Sequence, residues 1–143
     1  MKYIIYTDGG SRGNPGPAAI GVVIANEKGE TIKSYGEAIG PATNNEAEYQ
    51  AVILALKKIK ALYGKDKIKE MEIEVRMDSE LVMKQLNHQY KISESHIQLL
   101  FIRVWNTLID FGPVKFIHIP REQNTEADRL VNQALDKEQG ELF

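Results

Sequence analysis

The run Tyr3-Ile4-Ile5-Tyr6, followed by Thr7, Asp8 and the glycine-rich segment Gly9 to Gly16, constrains the fold more than any other part of the chain. Apolar and aromatic residues in a row, bounded by a glycine-rich turn, read as a strand buried on both faces and therefore central in a sheet. That strand is expected to end on a carboxylate, Asp8. Gly9, Gly10, Gly13 and Gly16, with Asn14 and Pro15 between them, let another backbone approach closely. An acid at the mouth of a buried strand requires a partner, and the partner must come from elsewhere in the chain.

Downstream, Ala18 to Ala25 is again continuously apolar or small, and the turn Asn26-Glu27-Lys28-Gly29 leads from it into Thr31 to Gly40, which predicts an antiparallel meander of three strands. Asn44 or Asn45 is expected to cap a helix running to about Tyr63, with Val52, Ala55, Ile59 and Leu62 on one face. At 3.6 residues per turn, Glu48 falls on that same core-facing stripe. Lys65 to Lys69 reads as a charged loop. Met71, Ile73, Val75 and Met77 then alternate with charged residues, a strand ending on a second acid, Asp78. A short helix follows from Ser79 to His88. A longer one carries Ile97, Leu100, Phe101, Val104, Trp105 and Leu108 at helical spacing. Val114 to Ile119 is the fifth strand, and the last helix presents Ala127, Leu130, Val131, Ala134 and Leu135, with Asp128 in its first turn.

The order βββαβααβα predicts an α/β fold with one five-stranded mixed sheet flanked by helices. Crossover connections place strands 4 and 5 parallel to strand 1. Ligands bind such sheets beyond the carboxyl ends of the parallel strands, where Asp8 and Asp78 both lie. Each acid also has an ordinary explanation. Asp78 suits the cap of the helix after it, Glu48 a capping-box-like role three residues after Asn45, and Asp128 the positive end of its own helix. Asp8 has no following helix to cap. Gathered at one edge of the sheet, carboxylates about 4 Å apart repel by about 4 kcal/mol at an effective dielectric of 20, so four do not stay ionised together without a cation. Hard oxygen ligands suit Mg²⁺ or Mn²⁺, and two such ions form the clamp used in phosphodiester hydrolysis.

Composition narrows the alternatives. The chain has 143 residues, the size of one domain. It contains no cysteine, which excludes disulfide scaffolds, thiolate metal sites and cysteine nucleophiles. No apolar run suits a signal peptide or a membrane span, so a soluble cytoplasmic protein is expected. The formal net charge of −2 lacks the basic signature of a protein held to nucleic acid by charge alone, so a phosphate-bearing partner needs local help such as a metal.

Over nearly its whole length the chain resembles the type 1 ribonucleases H. The motifs that carry the resemblance are Tyr6-Thr7-Asp8-Gly9-Gly10-Ser11 with Gly13-Asn14-Pro15-Gly16, Thr43-Asn44-Asn45-Glu46-Ala47-Glu48, Met77-Asp78-Ser79 and Asn124-Thr125-Glu126-Ala127-Asp128. The resemblance implies a catalytic domain over residues 1–137 with a short tail at 138–143. It implies that Asp8, Glu48, Asp78 and Asp128 are catalytic, metal-binding acids, with Asp8 bridging two Mg²⁺ ions for which Mn²⁺ can substitute. The implied reaction is endonucleolytic hydrolysis of the RNA strand of RNA/DNA hybrids, leaving 5′-phosphate and 3′-hydroxyl ends. Asn14, Asn44 and Asn45, with main-chain groups of Gly10, Ser11 and Gly13, are the implied readers of the RNA strand, and Thr43 matches a contact to a DNA phosphate. Amide side chains both donate to and accept from a 2′-hydroxyl, the group that distinguishes RNA from DNA.

Two departures mark a subgroup. The loop before the last acid reads Pro120-Arg121-Glu122-Gln123, without the His that many members carry there, and His88, His96 and His118 read as surface or packing residues. The basic protrusion that grips DNA in some members has no counterpart in Gln89 to Ser95, which leaves Lys84, Lys91 and the Lys57-Lys58-Lys60 group as candidate phosphate contacts. The ending Gln139-Gly140-Glu141-Leu142-Phe143 is similar to peptides that dock on bacterial sliding clamps, with Gly140 departing from the usual Leu. A monomer is expected. The competing readings are a nuclease of the same fold acting on double-stranded RNA or DNA junctions, and a non-catalytic nucleic-acid-binding module.

Overall fold

The computed structural model describes residues 1–141. Five strands, β1 (Lys2–Ser11), β2 (Gly16–Asn26), β3 (Thr31–Ala42), β4 (Glu72–Met77) and β5 (Val114–His118), form one sheet in the order β3-β2-β1-β4-β5. β1, β4 and β5 run parallel, while β2 is antiparallel to both β1 and β3. The helices are α1 (Asn44–Tyr63), α2 (Lys65–Ile68), α3 (Glu80–Leu86), α4 (Ser95–Leu108) and α5 (Thr125–Glu141), with a 3₁₀ turn at Arg121–Gln123. The expected mixed sheet and its parallel strands are therefore present.

Alternation along the strands decides which helix each face receives. Ile5, Val22, Ile24, Ile73, Val75 and Met77 pack with Tyr49, Val52, Leu56 and Ile59 of α1 into the main core. Each such side chain, fully withdrawn from water, contributes roughly 1.5–3 kcal/mol. On the other face, α5 lays Ala127, Leu130, Val131 and Leu135 over Ala19 and Val23. Two glycines set these distances. A Cβ on Gly9 would fall on the Ala47 and Glu48 backbone of α1, and one on Gly21 would fall on the Ala127 carbonyl of α5. The central strands thus receive a helix backbone from each side.

Several local expectations are corrected. Asp8 does not end its strand: β1 continues to Ser11 because β2 goes on pairing with it, Asp8 with Gly21 and Ser11 with Ala18. It is the parallel pairing with β4 that stops, at Thr7 with Met77, so Asp8 lies where one neighbour has ended and the other has not. The cap of α1 is Thr43, not Asn44 or Asn45. The Thr43 hydroxyl accepts from the Glu46 N–H at 3.2 Å, and the Thr43 N–H donates to Glu46 Oε1 at 2.9 Å, so Glu46 and not Glu48 closes the capping box. Ser79 caps α3 by accepting from the Val82 N–H at 3.2 Å, which relieves Asp78 of that role. The charged segment after Gly64 contains one helical turn, α2, held by buried Ile68. Trp105 falls on the expected apolar stripe of α4 but is 54% exposed, because the core face is centred on Ile97, Leu100 and Val104 and Trp105 lies about 100° round the helix from that centre, on its flank.

Candidate metal centre and cleft

Beyond the ends of β1 and β4 lies an open cleft of about 410 Å³, lined by the acids Asp8, Glu48, Asp78 and Asp128 together with residues of the glycine loop, α1 and α5. Asp8 comes from β1, and Asp78 follows the last residue of β4. Glu48 reaches the cleft from the first turns of α1, where its Oε1 accepts the Gly9 N–H at 2.9 Å. That contact depends on Gly9 having no side chain. One carboxylate oxygen from each of Asp8, Glu48 and Asp78 lies within 4.8 Å of the others.

Asp128 borders the same cleft without joining that group of three. Its helix is fastened to β1 by Asn124, 1% exposed, whose Nδ2 donates to the Thr7 carbonyl at 2.9 Å. The Asn124 carbonyl in turn accepts the Asp128 N–H at 3.1 Å. One buried amide therefore ties the residue before Asp8 to the turn that carries Asp128. In the sequence Asn124 stands out only as the first residue of the motif that ends on Asp128. Its burial and its bond to Thr7 are the signals that give it a structural task, and neither is visible in sequence.

Burial governs the titration of these acids. Asp8 is pushed up to about 7, chiefly by burial, with its hydrogen bond to Glu48 acting the other way and the charges of Asp78 and Asp128 adding to the rise. Glu48 is raised well above the ordinary carboxylate range by burial and then by Asp8, against the lowering effect of the Gly9 N–H. Asp78, its side chain 12% exposed, is raised by burial despite the guanidinium of Arg121, whose Nε lies 3.9 Å from Asp78 Oδ2. Without a cation, the cleft favours a shared proton between Asp8 and Glu48. An all-carboxylate donor set that burial makes reluctant to ionise fits a hard divalent cation, which supplies the charge the surroundings withhold.

The expected substrate-contacting residues form the wall beside the acids. The Ser11 N–H donates to Asn44 Oδ1 at 2.9 Å, and the Asn44 N–H donates to Asn14 Oδ1 at 3.0 Å. These bonds stitch the glycine loop to the start of α1. They engage the amide oxygens and leave the amide N–H₂ groups of exposed Asn14 and Asn44 to face solvent. Gly10, Ser11, Asn44 and Asn45 line the cleft, whereas Gly13, Asn14 and Thr43 do not border it. The Thr43 oxygen accepts its capping bond, which leaves its O–H available as a donor.

Arg12 and Arg121 also line the cleft. Arg121 was marked by its place in the loop lacking a His, but Arg12 was overlooked, although a lone cation amid small residues is a visible signal. None of Lys57, Lys58, Lys60, Lys84 and Lys91 borders the cleft. Lys84 pairs with Glu80 and Lys60 with Asp110, each at 2.8 Å. His88, His96 and His118 are exposed. No helix among the described residues is long and apolar enough to cross a membrane. The tail expected from 138 begins inside α5, which runs on to Glu141, and Leu142 and Phe143 lie outside the described residues.

A family model described as "Reverse transcriptase-like" matches residues 6–134. The chain is 43% identical over 131 residues to a ribonuclease HI of Halobacterium salinarum, covering 92% of this chain and 63% of that protein. It is 38% identical to the bifunctional protein Rv2228c of Mycobacterium tuberculosis, of which it covers 36%. The chain thus spans between about one third and two thirds of the length of these curated relatives. Among solved structures, LC11-RNase H1, isolated from compost and crystallised in complex with an RNA/DNA hybrid, superposes with a TM-score of 0.90 at 48% identity, covering 94% of this chain and 97% of that one. RNase H1 from Halobacterium salinarum superposes with a TM-score of 0.87 at 41% identity, covering 96% and 99%. The order of the strands, the acids at their ends and these likenesses agree, and the chain belongs to the type 1 ribonuclease H family.

Proposed function

We propose that the chain is a metal-dependent endonuclease that hydrolyses the RNA strand of RNA/DNA hybrids. The observation that carries the proposal is the approach of Asp8, Glu48 and Asp78 oxygens to within 4.8 Å of one another in an open cleft walled by amide and main-chain groups. Asp8, Glu48 and Asp78 would hold two divalent ions, Mg²⁺ with Mn²⁺ as a substitute, and Asp128 would complete the set from the edge. Ions bound there supply a water activated for attack on phosphorus and a Lewis acid for the departing 3′ oxygen, which accounts for 5′-phosphate and 3′-hydroxyl ends.

The rest of the work falls to the protein's own groups. The Gly9 N–H holds the Glu48 carboxylate in place. The amides of Asn14, Asn44 and Asn45 and the main chain of Gly10, Ser11 and Gly13 present donors and acceptors to ribose 2′-hydroxyls, a pattern a deoxyribose leaves unpaired. Thr43 offers its O–H to a phosphate of the DNA strand. Arg121 lines the cleft beside Asp78, in the loop where many members carry a His, and is the residue of that loop placed to meet a backbone phosphate of the substrate. Monomeric action in the cytoplasm fits this reading. Docking of Gln139–Phe143 on a sliding clamp rests on its sequence, and a pull-down unchanged by deleting the last five residues would refute it.

Labelled hybrid, RNA duplex, DNA duplex and DNA junction, each incubated with Mg²⁺ and with EDTA, test the proposal. Cleavage of the hybrid alone, in Mg²⁺ alone, is the expected result. Equal cleavage of RNA duplex or junction moves the assignment to the other nuclease reading, and hybrid binding without cleavage in Mg²⁺ leaves only a binding module.

A further inference from the structure

Arg12 stands in the glycine loop and lines the cleft, next to Ser11, whose N–H bonds Asn44. Its backbone is fixed, the N–H donating to the Pro17 carbonyl at 2.8 Å. The side chain crosses to α5, where Nη2 lies 2.7 Å from Asp136 Oδ1 and Nη1 donates to Gln139 Oε1. The Asp136 side chain is 70% exposed and that of Arg12 33% exposed. Ion pairs so open to water shift an equilibrium by less than about fivefold, so this one is readily exchanged.

The cleft needs a cation at that wall. Four carboxylates line it against two guanidiniums, Arg12 and Arg121, and the whole chain carries a formal charge of −2. A polyanionic strand entering the cleft meets repulsion that divalent ions relieve only near the acids. A guanidinium presents its N–H groups in a planar fork that fits a carboxylate or a phosphate alike.

We propose that Arg12 is a phosphate-binding residue of the substrate cleft, held in an extended, ready conformation by Asp136 and Gln139 and handed over to a backbone phosphate of the bound strand. The proposal rests on the nucleic-acid reading above. It differs from a purely structural role, in which the Arg12–Asp136 pair is a strut fastening the loop to α5, in the sign of one effect. For a strut, removing either partner loosens the loop and weakens binding. For a hand-over, removing Asp136 frees Arg12 and strengthens binding, while removing Arg12 weakens it.

The experiment uses the full chain with Asp8→Asn to prevent cleavage, and measures hybrid affinity by fluorescence anisotropy across a KCl series. KM and kcat are measured in the active protein alongside. Arg12→Ala is expected to weaken binding about 5–20-fold and to make the slope of log affinity against log salt shallower by about one, the signature of one lost phosphate contact. In the active protein its KM rises by about the same 5–20-fold, a larger factor than the fall in its kcat. Asp136→Asn is expected to tighten binding about 2–5-fold, the inverse of a surface pair's contribution. Arg12→Lys, which keeps the charge and the reach to α5, is expected to retain the salt slope. An unchanged slope in Arg12→Ala, or weakening by Asp136→Asn equal to that of Arg12→Ala, overturns the proposal. Wild-type protein that neither binds nor cleaves hybrid overturns the underlying functional reading instead, so the two failures are distinguishable.

Discussion

The two sides of the cleft are built on different principles. On one side Asp8, Glu48 and Asp78 issue from adjacent parallel strands and from a helix whose backbone touches Gly9, and Asp8 and Glu48 are each only 7% exposed. On the other side Asp128, Arg121 and Arg12 sit on a first helical turn, a 3₁₀ turn and a loop, with the Arg121 side chain 87% exposed. The buried side holds its charges at a cost and cannot rearrange. The open side holds them loosely and can exchange partners. A nuclease needs both, since metal geometry tolerates little displacement whereas a long polymer has to enter and leave.

The largest effect expected from this contrast is at its buried centre. Asp8→Asn keeps the shape and removes the charge that a cation requires, and is expected to lower hybrid cleavage by at least about 10³-fold, as follows when several kcal/mol of charge stabilisation is lost. Near-normal single-turnover rates in Mg²⁺ would refute its central place. Gly9→Ala perturbs the same centre through packing alone. Its new methyl meets the Ala47 and Glu48 backbone, so a loss of about 1–3 kcal/mol in urea unfolding is expected. Cleavage should fall along with it, because Glu48 moves with α1. Asp128→Asn, at the margin, is expected to cost about 10–100-fold, less than Asp8→Asn because Asp128 completes the set from the edge, outside the group of three. A loss matching that of Asp8→Asn would show that the division between the two sides is drawn in the wrong place.

The buried side also carries a pH signature. Asp8 titrates near 7 in the folded chain, against 3.8 for an unperturbed aspartate, so between these values the folded state holds a proton that the unfolded state has released. Stability from this source is complete below about pH 4 and is lost as pH rises through 7. In EDTA, thermal melting of the wild type should therefore fall between pH 5 and pH 8, and Asp8→Asn should melt several degrees higher than wild type at pH 8. Mg²⁺ should reduce that difference by stabilising the ionised site. Equal melting temperatures at pH 8 in EDTA would mean that Asp8 is solvated, contrary to its burial.

Much of the buried side was legible in the sequence, because the signals there are those of periodicity. Glu48 falls on an apolar stripe of α1, and Asp8 and Asp78 follow runs that only a central sheet can accommodate. What stayed hidden depended on contacts between distant segments. Thr43, Asn44 and Asn45 are all good caps, and the choice fell to Thr43 because β3 continues to Ala42. That left Asn44 free to bond the Ser11 N–H. Asp8 as a strand terminus was a reasonable reading of the glycines after it, but β2 extends the pairing to Ser11. The expectation that all four acids hold metal, with Asp8 as the bridge, came from motifs, which carry no distances. Only the packing of α5, through Asn124 and Thr7, leaves Asp128 outside the group of three.

The smallest effect is expected from Arg121, and it tests the open side by itself. Its Nε lies 3.9 Å from Asp78 Oδ2, and with the side chain almost wholly in water such a pair contributes roughly 0–1 kcal/mol. If Arg121 serves only to meet phosphate and to favour ionised Asp78, Arg121→Ala lowers kcat/KM about 2–5-fold at low salt. The difference shrinks as salt rises, because a Debye length of about 8 Å at 0.15 M screens exposed charge. The acid limb of the pH–rate profile should also move upward, since losing the guanidinium raises Asp78 further above its ordinary value. Should Arg121→Ala instead lower kcat by a hundredfold at every salt concentration, the guanidinium acts on the reacting phosphate itself. The 3₁₀ turn would then belong with the buried acids despite its exposure.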